Sequence, residues 1–179
     1  MKGFFLFIWE ITKIVIIALL IVIPIRTFLF QPFFVRGESM SPAFENGDYL
    51  IIDQLSYRIR DPQRGEVIVF KHPPSQRYIK RIIGLPGETV EIKDGKVIVY
   101  RQGEPYILDE SDYLPLDVFT TGETPISLAE NEYFVLGDNR LASADSRRWG
   151  SLNREDVIGR VFLRAWPFTA LAKIEAPEY

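Results

Sequence analysis

The sequence predicts a mainly β fold, in which an amino-terminal transmembrane helix is followed by one β-rich body carrying a small loop-rich insertion. Three observations lead there. Phe4 to Phe30 is dominated by Phe, Ile, Leu and Val, with no charge from Ile14 to Ile25. After Pro42, short apolar runs alternate with Gly, Pro, Asn and Asp turn signals. No window beyond Pro42 keeps the apolar period of an amphipathic helix. The expected division is an anchor at 4–30, a β-rich body at 31–170 with the insertion at about 101–130, and a tail at 171–179.

As helix, the anchor would be about 40 Å long at 1.5 Å per residue, against a hydrocarbon core of about 30 Å, so it can span with tilt. Glu10 and Lys13 lie one turn apart and can pair or reach toward headgroups, while Pro24 and Arg26 mark the far end. A cleaved secretory signal would have a shorter core and a small-residue cleavage site. Here the run closes as Arg26-Thr27-Phe28-Leu29-Phe30-Gln31-Pro32, so a retained anchor is expected. Lys2 and Lys13 before it are nearly balanced by Arg26 and Arg36 after it, so charge does not fix the orientation.

In the body, Asn46-Gly47 precedes the apolar strand Asp48–Asp53, and Arg64-Gly65-Glu66 precedes Val67–Phe70. Tyr78–Ile83 is a third strand, closed by Gly84-Leu85-Pro86-Gly87. Thr89–Ile92 and Val97–Tyr100, joined through Asp94-Gly95, read as a tight hairpin. Periodicity fades from Arg101 to Glu130, where Pro, Gly, Asp, Glu and Thr accumulate, and strands resume at Asn131–Leu136 and Val157–Leu163.

A chain of 179 residues holds such an anchor and one domain with its own core. The formal charge of −3 and the absence of a long basic run argue against a nucleic-acid partner. With no cysteine, thiolate chemistry, disulfides and sulfur-ligated metal are excluded. The spaced acids of an EF-hand are missing, and neither a metal nor a cofactor is expected. The one histidine, His72, is followed by Pro73 and Pro74 with no nearby carboxylate, a poor setting for a Ser-His-Asp triad.

Three stretches carry candidate chemistry. Val35-Arg36-Gly37-Glu38-Ser39-Met40-Ser41-Pro42 nearly matches the Gly-x-Ser-x-Gly elbow of hydrolases, but Ser41 replaces the last glycine and no strand-turn-helix surrounds it. Ser39 is then either a nucleophile or a loop serine, held within about 30 Å of the anchor by the nine residues that follow Phe30. In Tyr78-Ile79-Lys80-Arg81-Ile82-Ile83, alternation puts Lys80 between Tyr78 and Ile82 and Arg81 on the opposite face. One of these cations must face apolar neighbours. Only lysine can lose its proton there and act as a base, since guanidinium stays charged; the alternative is a solvated lysine on an edge strand. In Gly137–Gly150, if the second half is extended, Ser143, Asp145 and Arg147 line up on one side. Asp145 can then pair with Arg147 or Arg81, leaving Ser143 for the lysine amine; the alternative is a polar turn without function.

The anchor, Gly37-Glu38-Ser39-Met40-Ser41-Pro42, Gly47-Asp48, Tyr78 to Gly87, and Gly137-Asp138-Asn139-Arg140 through Ser143, Asp145, Ser146 and Arg147, taken in this order, closely resemble bacterial type I signal peptidases. The resemblance runs from the anchor to Trp166; only 101–130 has no motif. It implies a membrane-anchored serine endopeptidase that removes signal peptides from exported preproteins, with Ser39 as nucleophile, Lys80 as general base and Ser143 positioning the amine. Asp145, Arg147 and Arg81 are the implied supporting ion pairs. Phe33, Val35, Met40, Phe44, Tyr78 and Ile79 match positions lining shallow pockets for small residues before the cut, as in Ala-x-Ala. The side-chain hydroxyl that many members place two residues before the nucleophile is absent at Gly37. The implied location is the cytoplasmic membrane, single-pass, with the catalytic body on the extracytoplasmic face; the implied partners are preproteins and the bilayer. Phe28, Phe30, Phe33, Phe34, Trp149 and Trp166 are aromatic candidates for the lipid interface. Self-cleaving repressors of the SOS response share a Ser-Lys pair but lack an anchor. The other alternative is a non-catalytic, membrane-tethered β module.

Overall fold

The computed structural model describes residues 2–24, 30–72, 76–122, 125–177 and 179. Arg26 and Phe28, read above as the far flank of the anchor and an interfacial aromatic, and the Pro73-Pro74 pair lie outside these residues. The first element, α1 (Lys2–Pro24), is apolar around its whole circumference, and Gly3–Ile23 packs against nothing in the chain. It is long and apolar enough to cross a membrane. Its two internal charges answer each other, with Lys13 Nζ 2.8 Å from Glu10 Oε1.

The body is built from β1 (Phe30–Phe34), β2 (Tyr49–Asp53), β3 (Val67–His72), β4 (Gln76–Gly84), β5 (Thr89–Lys93), β6 (Lys96–Arg101), β7 (Glu104–Ile107), β8 (Ile126–Ser127) and β9 (Glu132–Leu136). A helical turn, α2 (Ser146–Trp149), precedes β10 (Leu152–Asn153), β11 (Val157–Trp166) and β12 (Ala172–Lys173). Eight strands form one antiparallel sheet in the order β1-β2-β11-β3-β4-β9-β10, with β12 beside β11. The other four form a smaller sheet, β7-β6-β5-β8, which takes in two strands from the 101–130 segment. The hairpin predicted at Asp94-Gly95 forms: Lys93 pairs with Lys96, and both turn residues have positive φ, the geometry that a two-residue turn needs to follow the strand twist.

β1 takes in residues 31–34, where the sequence reading placed no strand, and shares only Phe30 with the expected anchor. Its apolar letters continue those of α1, and Pro32 argues against a central strand; β1 is an edge strand, where a missing N–H costs no ladder bond. β3 reads as an unbroken apolar run because both its faces are buried: Val67 and Val69 join one core cluster, Ile68 and Phe70 another. A third cluster, around Ile83, Val90, Val99, Phe134 and Leu136, joins the two sheets. Trp149, placed by sequence at the lipid interface, instead packs on the second cluster with its ring 5.9 Å from Phe70 and 4.8 Å from His72. Phe30, Phe34 and Trp166 are exposed.

Candidate active site

The chain leaves the sheet after β1, makes an excursion through residues 36–47, and returns into β2. Two backbone bonds close its base, Val35 N to Asp48 O at 2.9 Å and Gly47 N to Val35 O at 3.0 Å. Met40 and Phe44 are buried in the first cluster and pin the excursion down. Gly37 takes a φ of +88°, open to glycine, and its amide donates to Asn46 Oδ1 at 3.0 Å. Ser39 sits on the resulting turn, half-buried, with its carbonyl accepting from the Asn139 amide at 3.1 Å.

Alternation along β4 separates the two adjacent cations. Lys80, 3% exposed, turns toward Tyr78, whose ring centroid is 5.7 Å from Nζ; Nζ lies 2.7 Å from Ser39 Oγ and donates to Ile79 O at 2.8 Å. Arg81 turns the other way and donates to both oxygens of Asp138, at 2.9 and 2.7 Å, in a fully buried pair. Burial pushes the Lys80 amine down to about 8, against the opposing pull of the Asp145 and Asp138 carboxylates. A desolvated amine with that affinity for protons, in contact with a serine hydroxyl, can remove the hydroxyl proton near neutral pH.

Asp145 caps α2, so the extended geometry imagined for Ser143, Asp145 and Arg147 gives way to a helical turn. The pairing survives: Arg147 Nε and Nη2 each donate to Asp145 at 2.8 Å, and the Gly137 amide donates to its Oδ2 at 3.0 Å. Burial alone would raise the Asp145 carboxyl; these donors outweigh it and hold it below the usual carboxylate range. Ser143 Oγ is buried and favours the charged form of Asp145, yet it meets no partner at hydrogen-bond geometry among the described residues. His72 lies between the rings of Tyr78 and Trp149.

A cleft of about 420 Å³ opens beside the Ser39–Lys80 contact, lined by Phe33, Phe34, Arg36, Tyr78 and Ile79 among others. Of the candidate substrate contacts, Phe33, Tyr78 and Ile79 reach this cleft. Val35, Met40 and Phe44 lie behind it in the first cluster, against which Phe33 packs and to which Ile79 belongs. Asp138 is the polar partner that sequence reasoning did not assign to Arg81: 57 residues separate the two, and a turn-like Gly-Asp-Asn reads the same with or without a partner.

The model of the family described as "Signal peptidase, peptidase S26" matches residues 8–166. The chain belongs to the S26 signal peptidase family. S26 members among its relatives include a "Probable signal peptidase I-2" of Synechocystis sp., 39% identical over 165 residues, covering 88% of this chain and 73% of that one. "Signal peptidase I" of Leptolyngbya laminosa is 37% identical over 177 residues, covering 92% and 83% of the two chains. "Signal peptidase I P" of Bacillus subtilis subsp. natto is 39% identical over 153 residues, covering 82% and 83%. This S26 peptidase is thus a hydrolase of the signal peptidase class, a membrane-associated family acting on preproteins, and it carries an apolar amino-terminal helix.

Close packing leaves no slack at Gly137. A Cβ at Gly137 would overlap Ser143 Oγ and the carbonyl oxygen of Ser39. Gly137→Ala is expected to push Ser39 out of register and lower kcat by about 100-fold, since shifts near 1 Å cost that much. A preprotein cleavage assay with a melting curve on the same sample checks it; near-native kcat in the folded variant contradicts it.

Proposed function

We propose that this signal peptidase is a membrane-anchored serine endopeptidase working through a Ser39–Lys80 dyad. The observation that carries the reading is the desolvated Lys80 amine 2.7 Å from the Ser39 hydroxyl at the edge of an open cleft. As ammonium, Nζ donates to Ser39 Oγ; once neutral, it accepts the hydroxyl proton while Oγ attacks the scissile carbonyl. The proton passes to the departing amine, and water releases the acyl group. The Ser39 amide engages no acceptor among the described residues and is the oxyanion donor in this scheme; Gly37 offers no side-chain hydroxyl. Asp145 and Arg147 fix the loop beneath Gly137, and Arg81 ties the lysine strand to Asp138. Ser143, close to Gly137 and the Ser39 carbonyl with its hydroxyl unpaired among the described residues, is the residue assigned to position the amine.

The edge of β4 supports the substrate mode. β9 pairs with β4 only at Arg81–Gly84, so residues 76–80 have a strand neighbour on one side only, β3. An extended signal-peptide segment adds to the free side, its small side chains entering shallow recesses bounded by Phe33, Tyr78 and Ile79 and backed by Val35, Met40 and Phe44. Within residues 4–30, α1 acts as the anchor, and 31–170 form the catalytic body, along which the 171–179 tail is held by β12 beside β11 and by the Tyr179 hydroxyl on Tyr113. The helix is a single pass in the cytoplasmic membrane and holds the body on the extracytoplasmic face, where preproteins emerge. Exposed Phe30, Phe34 and Trp166 fit a lipid-facing rim.

The full chain in detergent or lipid should cut a preprotein bearing Ala-x-Ala before the junction. The dyad acts with a neutral amine, and the Lys80 amine is lowered to about 8, so the rate should climb with pH through a midpoint near that value and level off above it. A profile flat from acid to alkaline pH, or one centred near the ordinary histidine value of about 6.5, would contradict the dyad.

A further inference from the structure

A chain of buried polar contacts starts in the 101–130 segment and ends at the nucleophile. Glu110 accepts from Arg140 Nη1 at 3.0 Å and Nη2 at 2.5 Å, and the Arg140 side chain is fully buried. Arg140 Nη1 also donates to Thr120 Oγ1 at 2.6 Å, and its Nε donates to Gly137 O at 3.1 Å. Within that same turn, the Asn139 amide donates to the Ser39 carbonyl. A second branch leaves Glu110 toward the base. Tyr113 donates to Glu110 Oε1 at 2.6 Å and accepts from the Tyr179 hydroxyl at 2.9 Å. Its ring centroid lies 3.9 Å from the guanidinium carbon of Arg81, the residue next to Lys80.

We propose that Glu110 and Tyr113 are positioning residues for peptide cleavage: Glu110 sets the 137–140 turn against Ser39 through Arg140, and Tyr113 sets the Lys80 strand through Arg81. This rests on the dyad reading above. Two side chains three residues apart thereby reach toward both halves of the dyad from one segment. The paired hydrogen bonds between a carboxylate and a guanidinium fix distance and angle together, which apolar contact does not. Apolar packing of the segment is divided: Leu108, Leu114 and Leu128 are buried, while Tyr106, Ile107, Leu116 and Phe119 are exposed. Ion pairs of this kind add little net stability compared with apolar replacements, so their use here is better matched to geometry.

The test is steady-state kinetics on a preprotein with the full chain in detergent, comparing Glu110→Gln, Tyr113→Phe and, as control, Glu104→Gln on the exposed β7. Glu110→Gln should lower kcat at least tenfold with KM within about twofold. Tyr113→Phe, which keeps the ring over Arg81 and loses only the hydroxyl bonds, should fold normally and lower kcat a few-fold, again without a KM change. Glu104→Gln should match the wild type. Unchanged kcat in folded Tyr113→Phe and Glu110→Gln overturns the inference, as does a loss that merely follows the folded fraction in a melting curve or falls on KM alone. Should Glu110→Gln not fold, Tyr113→Phe decides. An active wild type beside unaltered variants sinks this inference alone, whereas an inactive wild type sinks the dyad reading with it.

Discussion

Replacing Lys80 with methionine is expected to abolish cleavage, with kcat down by about 10⁴-fold or more, the loss seen when one member of a nucleophile–base unit is removed. The protein should nevertheless fold as well as before. Lys80 is 3% exposed and its amine resists carrying charge there, so a methionine of similar reach removes a desolvation cost and leaves without that donor the Ile79 carbonyl and the Ser39 hydroxyl, the latter beside the open cleft. Ser39→Ala should match the loss of activity, and the double variant should be no worse than either single change, because the two groups act as one unit. A preprotein assay beside thermal melts reads both properties. Cleavage within tenfold of wild type in either single variant would mean that the reacting hydroxyl or its base lies elsewhere.

Asp138→Ala should be the most destabilising single change near the site. Arg81 is 4% exposed and cannot shed its charge, so losing the carboxylate strands a buried guanidinium on the Gly65 carbonyl and the Tyr113 ring. Breaking one side of a buried pair costs about 3–5 kcal/mol, roughly a 10 °C fall in Tm for a chain this size. Arg81→Met combined with Asp138→Leu should recover most of that fall, since apolar replacement of both partners is often neutral. Calorimetry on the single and double variants tests this. A drop below about 3 °C in the single variant would show that water reaches the guanidinium.

The Ser39–Lys80 contact was anticipated through the resemblance to signal peptidases, since the residues alone left Ser39 as a nucleophile or a loop serine. What was legible locally was that alternation along β4 turns one of two adjacent cations inward. The strands around the core were legible for the same reason, since period-two burial is a short-range property of the chain. What stayed hidden depended on distant partners. Asp138, Glu110 and Tyr113 acquire meaning only once the fold brings Arg81 and Arg140 to them, across separations of 57 and 30 residues for the ion pairs. The 137–150 stretch misled in another way: the Asp145–Arg147 pair exists, but in a cap and helical turn rather than an extended row. Trp149 misled because an aromatic near charged residues suits a lipid surface and a core edge alike, and the rings of Phe70 and His72 decided between them.

The half-open margin of β4 carries a hazard along with its use. Backbone groups that welcome one extended peptide will welcome any other, a neighbouring copy of the same chain included. Lys71 and Arg77 stand directly opposite each other at the outer end of that margin. Two such margins brought together would bring two exposed arginines, each backed by a lysine one strand behind, onto one seam, so fusion of copies into a continuous sheet is opposed while a single uncharged, small-residue guest is not.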